Sequence, residues 1–262
     1  VLEQVLPLGK RYSKEKLMEI AGTTASCTGS GSSTSNALIA GLPSHPEVKP
    51  LDILAFTSQR KFSGVRYAVH KNTYTIFMGA PEFVGKYAPI SKTVQAQVKH
   101  LTSQGLRVLL VAEFSNDSSP LDQLPEKSGQ PIGLITLRNE LRDGVEQTIS
   151  FLQNRGVSVR VISGDNPDTV AYIARAAGVN NTERTITGAE LDKLSAGKWD
   201  KTILATTIFA RVLPEQKEHI IETFKKHGYF TGMVGDGVND ALALKKSDLG
   251  VAMFSGANAT RR

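Results

Sequence analysis

The pattern of hydrophobic and polar positions changes texture near residue 130. Before it, apolar segments are short and irregular, with turn chemistry between them. LDILAFTS (51–58), VRYAVH (65–70) and TYTIFMG (73–79) alternate or are rich in β-branched and aromatic residues, which predicts an antiparallel meander. Lys71-Asn72 is then the turn that joins the last two as a hairpin. Spacing predicts a helix over about 91–104, and GLRVLLVAEF (105–114) a further strand. GTTASCTGSGSSTS (22–35) reads as a flexible connection leading into a small helix, Asn36–Ala40. SNDSSPLDQLPEKSGQP (115–131) is polar and Pro-rich, the mark of a loop at a domain edge.

From 132 onward strands and helices alternate. PIGLITL is read as a strand, LRDGVEQTISFLQNRG as an amphipathic helix ended by Gly156, VSVRVIS as a strand and PDTVAYIARAAG as a helix. IFARV, PEQKEHIIETFKKHG, YFTGMVG, VNDALALKK and LGVAM continue the series. Such alternation predicts a doubly wound α/β domain with a parallel sheet. The expected division is therefore 1–131, an α+β domain on an antiparallel sheet, and 132–262, the doubly wound domain.

Composition narrows this picture little. The chain has 262 residues, 40% hydrophobic and 21% charged, enough to build cores rather than remain disordered. A net charge of +6 invites a nucleic-acid partner, but aromatics are only 6% and no Lys/Arg block is interleaved with them. The expectation is no nucleic acid; the basic excess suits a solvated surface and the phosphates of a nucleotide. Cys27 is the single cysteine, so a disulfide framework or cysteine zinc cluster is excluded, and His45, His70, His100, His219 and His227 lack metal-ligand spacing. No run of ~18 apolar residues is present to span a bilayer.

The chemistry concentrates in TGMVGDGVNDALALKKSDLGVAM (231–253). A strand there ends in a Gly-rich turn carrying Asp236, Asn239 and Asp240, at the strand end where open α/β sheets bind ligands. Carboxylates so placed suit Mg²⁺, which takes oxygen ligands and keeps waters for phosphate; they equally suit capping of the next helix. Ser163-Gly164-Asp165 follows the VSVRVI strand. It is either a phosphoryl seat at a helix terminus or an ordinary helix start with Asn166 as N-cap and Pro167 behind it. Lys217, in PEQK after Arg211, is either a fixed positive charge at the site or a water-exposed helix lysine. A hydroxyl, a lysine and a carboxylate turn on successive strands together form a phosphoryl-transfer constellation.

On these motifs the chain resembles the P-type cation-transporting ATPases of the haloacid dehalogenase-like superfamily. Their phosphorylation domain carries a TGD motif, here ISGD with Ser163 for Thr, a segment like FARVLPEQK (209–217), and the hinge GDGVND (235–240). The resemblance implies catalytic roles for Ser163, Asp165, Lys217, Asp236, Asn239 and Asp240, with Asp236 as the Mg²⁺ ligand. It also implies that the first half is a nucleotide-binding domain inserted in the phosphorylation domain. FTSQRKFSGV (56–65) looks like the ATP-contact strand, with Phe56 stacking on adenine and Lys61 facing the phosphates. FMGAPE (77–82) matches a KGAPE motif through Gly79, with Met78 for Lys, and GLRVL supplies Arg107 near the phosphates. RNELR (138–142) retains Arg142 of an Asp-Pro-x-Arg motif, with Asn139 for Asp; Arg211 joins the nucleotide contacts.

In this family a carboxylate nucleophile in a DKTGT motif forms an aspartyl-phosphate. No DKTGT occurs; Asp200-Lys201-Thr202 is followed by Ile203 and Leu204 and is read as surface connection. The resemblance thus implies a cytosolic portion of a membrane ATPase, on the cytoplasmic side, lacking the central nucleophile strand. It would bind ATP and Mg²⁺ without turnover and be prone to self-association through unpaired strand edges. The transported cation would be selected in membrane helices. Two other classes remain: a stand-alone haloacid dehalogenase-like phosphatase, which needs a DxD strand absent from Val1–Leu8, and a basic binding module.

Overall fold

The computed structural model describes residues 1–29, 31–45, 48–57, 59–70, 72–115, 119–139, 141–235 and 240–253. The chain separates into two compact units, Val1–Glu140 and Leu141–Arg262.

The first unit comprises β1 (Leu2–Pro7), α1 (Lys14–Thr28), α2 (Ser33–Gly41), β2 (Pro50–Leu54), β3 (Phe62–Val69), β4 (Asn72–Gly79), α3 (Pro81–Tyr87), α4 (Lys92–Ser103), β5 (Leu106–Phe114) and β6 (Gly129–Arg138). Among the described residues these strands form one antiparallel sheet in the order β1-β6-β5-β4-β3-β2. Strand side chains point alternately to opposite faces, and both faces are covered. Ile76, Leu109, Val111 and Ile135 pack with Leu17 and Ile20 of α1. Their neighbours Phe77, Leu110, Ala112 and Leu134 pack with Val84 of α3 and Leu101 of α4. This two-sided burial is why the run 108–112 in the middle of β5 is apolar without interruption.

The predicted meander is present, with its turn one residue early. Val69 faces Asn72, so Asn72 opens β4, and His70 sits in the left-handed region at φ 53°; Lys71 lies outside the described residues. Two expectations are overturned. Residues 22–28 are not a flexible connection but the second half of α1, buried over 22–25, where Ala25 joins the core and the Thr24 and Thr28 hydroxyls donate to the carbonyls of Ile20 and Thr24 at 2.8 Å. Small polar residues look like a loop in sequence, but here they let a helix lie close against the sheet. The strand at 132–138 belongs to β6, between β1 and β5, and does not open the parallel sheet. The division consequently falls at 140/141 rather than 131/132, because β6 needs β1, a strand that the sequence pattern at Leu2–Pro7 did not announce.

The second unit comprises α5 (Val145–Asn154), β7 (Val161–Ile162), α6 (Pro167–Ala176), β8 (Thr185–Thr187), α7 (Gly188–Leu191), α8 (Ala196–Ala205), β9 (Ile208–Ala210), α9 (Pro214–Lys226), β10 (Gly232–Gly235), α10 (Ala241–Lys246) and β11 (Leu249–Ala252). All described strand pairs in it are parallel, as two ladders, β7-β9-β8 and β10-β11. Helix α9 packs on both: Ile220 and Phe224 meet Phe209 of β9, while Ile221 meets Met233 of β10. Ile162 of β7 touches both clusters. Asp200 lies inside α8 rather than in a connection, and its carboxylate accepts from His227 at 2.9 Å and Lys226 at 3.0 Å. Those bonds, His227 first, hold its pKa below the ordinary carboxylate value.

Candidate functional site

In the second unit the motifs sit at the C-terminal ends of parallel strands. Ser163 follows β7 directly, its N–H donating to Phe209 O at 2.8 Å. Its hydroxyl accepts from Asp165 N–H at 3.1 Å, and Asn166 caps α6 by accepting from Asp168 N–H at 2.9 Å, with Pro167 at the first helical position. The helix-start reading of this segment therefore holds. It leaves Ser163 oriented at the same terminus, where backbone N–H groups favour anions.

Arg211 fastens this loop. Its backbone sits at φ 53°, a left-handed conformation uncommon for a residue with a side chain. Its N–H donates to Asp165 O at 3.2 Å, its guanidinium to Gly164 O at 2.8 Å, and Val212 N–H to Ser163 O at 3.3 Å. The side chain expected to contact nucleotide thus binds the neighbouring motif.

Lys217 is not a water-exposed helix lysine. It is 9% exposed, and its ammonium lies 2.6 Å from Asp240 Oδ1, itself 9% exposed. A buried charge is tolerated when paired, so each member secures the other. Lys217 is placed by α9, whose first turn is closed by Gln216: its side chain accepts from Leu213 N–H at 2.9 Å and donates to Gly188 O and Asp192 Oδ1. Asp240 immediately precedes α10, a position favoured for a carboxylate by the helix dipole. Gly235 ends β10 beneath it, and a Cβ there would lie 2.7 Å from Asp240 Cβ, so only glycine admits this approach. Asp236 and Asn239 lie outside the described residues. Among the described residues no group of three or more His, Cys, Asp or Glu side chains could hold a metal ion, and Asp240 is engaged by Lys217. The described donors alone therefore do not compose a Mg²⁺ site.

In the first unit the predicted nucleotide contacts gather at one end of the sheet. Phe56 follows β2 and is 48% exposed, unusual for a large apolar ring. Lys61 precedes β3 at φ 60°, with its N–H on Thr57 O at 2.8 Å and its carbonyl accepting from Ala80 N–H at 3.0 Å. Gly79 faces Phe62, and a Cβ there would meet Phe62 Cα at 2.4 Å. Met78, where the resembling motif has Lys, is buried in the core with α1. Arg107, the second residue of β5, lies three residues before Leu110, the partner of Gly79, and its guanidinium bonds the Thr34 hydroxyl. Thr34 and Gln216 escaped sequence reasoning, since each matters only through a partner distant in the chain. Arg142 is exposed at the start of the second unit, its carbonyl accepting from Val145 N–H at 3.2 Å.

No helix among the described residues is long and apolar enough to cross a membrane. A probable cation-transporting ATPase of Streptococcus pneumoniae is 31% identical over 264 aligned positions, covering 100% of this chain and 32% of that protein. A calcium-transporting ATPase of Mycobacterium bovis is 36% identical over 212, covering 79% and 24%. One of Listeria monocytogenes is 30% identical over 225, covering 79% and 26%. The chain thus spans about a quarter to a third of the length of these curated relatives. The haloacid dehalogenase-like hydrolase family matches residues 36–248, most of the sequence, and the chain belongs to that family.

Proposed function

We propose that the chain is the ATP-binding and phosphorylation portion of a P-type ATPase, which drives cation transport across a membrane through an aspartyl-phosphate. The first unit is read as the inserted nucleotide-binding domain and the second as the phosphorylation domain, on the cytoplasmic side. The observation that carries this reading is the buried Lys217–Asp240 pair, which fixes a positive charge at the end of β10, where Gly235 lies against Asp240. The similarity to transport ATPases over the whole chain supports it.

In this reading the exposed Phe56 ring stacks on adenine, while Lys61 and Arg107 face the phosphates and Gly79 keeps the sheet end open; Arg142 is proposed as a nucleotide-binding residue of the second unit. Ser163 and the N-terminus of α6 receive phosphoryl oxygens; Arg211 and Asp165 hold that loop in place. Lys217 offsets negative charge on the transferred group, and Asp240 keeps it oriented. Asp236 is proposed as the Mg²⁺ ligand with Asn239 in support; Mg²⁺, when bound, would neutralise phosphate charge. Because DKTGT does not occur in the sequence, this chain binds nucleotide without turning it over. The exposed Val234, Leu249 and Val251 of the β10-β11 ladder support self-association, readable by sedimentation.

Calorimetry with ATP and adenosine tests the reading. Base–aromatic stacking contributes ~1–3 kcal/mol, so Phe56→Ala should weaken ATP binding roughly ten- to a hundredfold. Lys61→Ala should weaken ATP more than adenosine. Unchanged affinities in both variants, or an acid-stable phosphoenzyme that Asp200→Asn abolishes, would remove it.

A further inference from the structure

The end of the sheet opposite Phe56, Lys61 and Gly79 carries a concavity. Strand β4 starts at Asn72 and ends at Gly79, so Thr73 lies about 20 Å from Gly79 at ~3.3 Å per residue. There, Arg11, Tyr12, Asn72, Tyr74, Glu113 and Ser115 line much of an open pocket of about 370 Å³.

Its floor is a carboxylate. Glu113 stands in β5, is 8% exposed, and accepts a hydrogen bond from the Tyr12 hydroxyl at 2.9 Å. Burial and this carboxylate together push the Tyr12 phenol above its ordinary pKa. A carboxylate so buried requires a cation, which Arg11 supplies, its guanidinium 3.0 Å from Glu113 Oε2. The two partners are unequal. Glu113 is held in the ladder between β4 and β6. Arg11 lies between β1 and α1, and its side chain is 56% exposed, lying 5.5 Å from the Tyr12 ring centroid and donating to Gln130 at 3.2 Å. The anion is built in; the cation reaches it from a surface connection. The arginine side chain is the exposed and less constrained partner, so it is the one that can be displaced.

A fixed carboxylate beside aromatic rings is the chemistry that receives a planar organic cation. Tyr74 also lines the pocket, its ring stacked on Tyr67 and already approached by Lys16 Nζ at 5.4 Å, so the Tyr12 ring beside Arg11 is the aromatic partner of the site. We propose that this pocket binds a guanidinium compound, and that Arg11 is a tethered occupant which the ligand displaces. The site is independent of the nucleotide reading.

Titration of the amide spectrum with ethylguanidinium tests it, with ethylurea as the neutral isostere. The unaltered chain should show saturable shifts at Tyr74, Glu113 and Ser115. Arg11→Ala and the milder Arg11→Gln remove the competitor, whose effective concentration is in the millimolar range or above. Ethylguanidinium should then bind at least about tenfold tighter, while Glu113→Gln abolishes the shifts and ethylurea produces none. A Gly-Arg-Gly peptide distinguishes sources: weaker binding than ethylguanidinium assigns the site to a free small molecule, tighter binding to an arginine of a partner protein. Absence of saturable shifts in the unaltered chain and in either folded Arg11 variant, or equal response to ethylurea, would reduce the pair to a structural ion bridge and overturn the proposal.

Discussion

At the scale of single residues, burial decides what a charge does. Lys217 and Asp240 are both 9% exposed and 2.6 Å apart. Lys217→Met leaves a lone buried carboxylate, with an expected loss of about 3–5 kcal/mol. Adding Asp240→Asn should recover part of it, because no uncompensated charge then remains; urea unfolding of the four chains measures the coupling. A loss in the double variant equal to the sum of the two single losses would mean that the pair is not coupled. Asp248 offers a pH test. Its carboxylate accepts from Thr231 N–H and Oγ and from Lys225 Nζ, which lowers its pKa from 3.8 to about 2. A depressed carboxylate stabilises the fold above its unfolded value and loses that contribution as pH falls through the folded one. Stability should therefore fall between about pH 4 and 2, and Asp248→Asn should flatten that part of the curve. An unchanged acid limb in the variant would count against this role.

At the scale of elements, close approaches set what each strand tolerates. Gly79 ends β4 against Phe62, where a Cβ would find Phe62 Cβ at 2.3 Å and its Cα at 2.4 Å. Gly79→Ala must push β3 and β4 apart, an overpacking expected to cost about 1–3 kcal/mol. Because Lys61 sits next to Phe62, ATP affinity should fall with stability in this variant. Full stability by denaturant unfolding would show that the hairpin yields freely. The same elements explain how far the fold could be read beforehand. The β3–β4 hairpin, α4, β5 and the α6, α9 and α10 helices were legible because each carries its own periodicity or cap. The second half of α1 was not, since GTTASC is poor in large apolar residues and becomes helical through contact with the sheet. β6 was assigned to the wrong neighbour, since PIGLITL reads alike in parallel and antiparallel sheets.

At the scale of the whole molecule, the two units differ in how their sheets are covered. The first has a continuous six-stranded ladder among its described residues, with helices packed on both faces. The second holds two short parallel ladders, and its β10-β11 pair exposes Val234 at 61%, Leu249 at 54% and Val251 at 42%. Parallel sheets are ordinarily buried on both faces, so this ladder is expected to open most readily. Amide exchange should be slower over 62–114 than over 141–253. The reverse order would mean that an unrecognised segment or a second molecule protects β10 and β11.

Residue identity alone carried the chemistry of this chain. Ser163, Lys217 and the 235–240 string are local, and their order along alternating strands and helices points to the phosphoryl-transfer site proposed above. Tertiary structure decided what those strings do to one another. Only folding turned Lys217 from a helix lysine into half of a buried pair with Asp240, and directed Arg211 to the carbonyl of Gly164. Only folding placed Glu113 at the floor of a pocket with Arg11 above it. The physical reason is range. Periodicity, caps and turn residues act within a few positions, whereas burial and charge pairing join residues 23, 47 and 102 positions apart here, and no local pattern records which partner folding will supply.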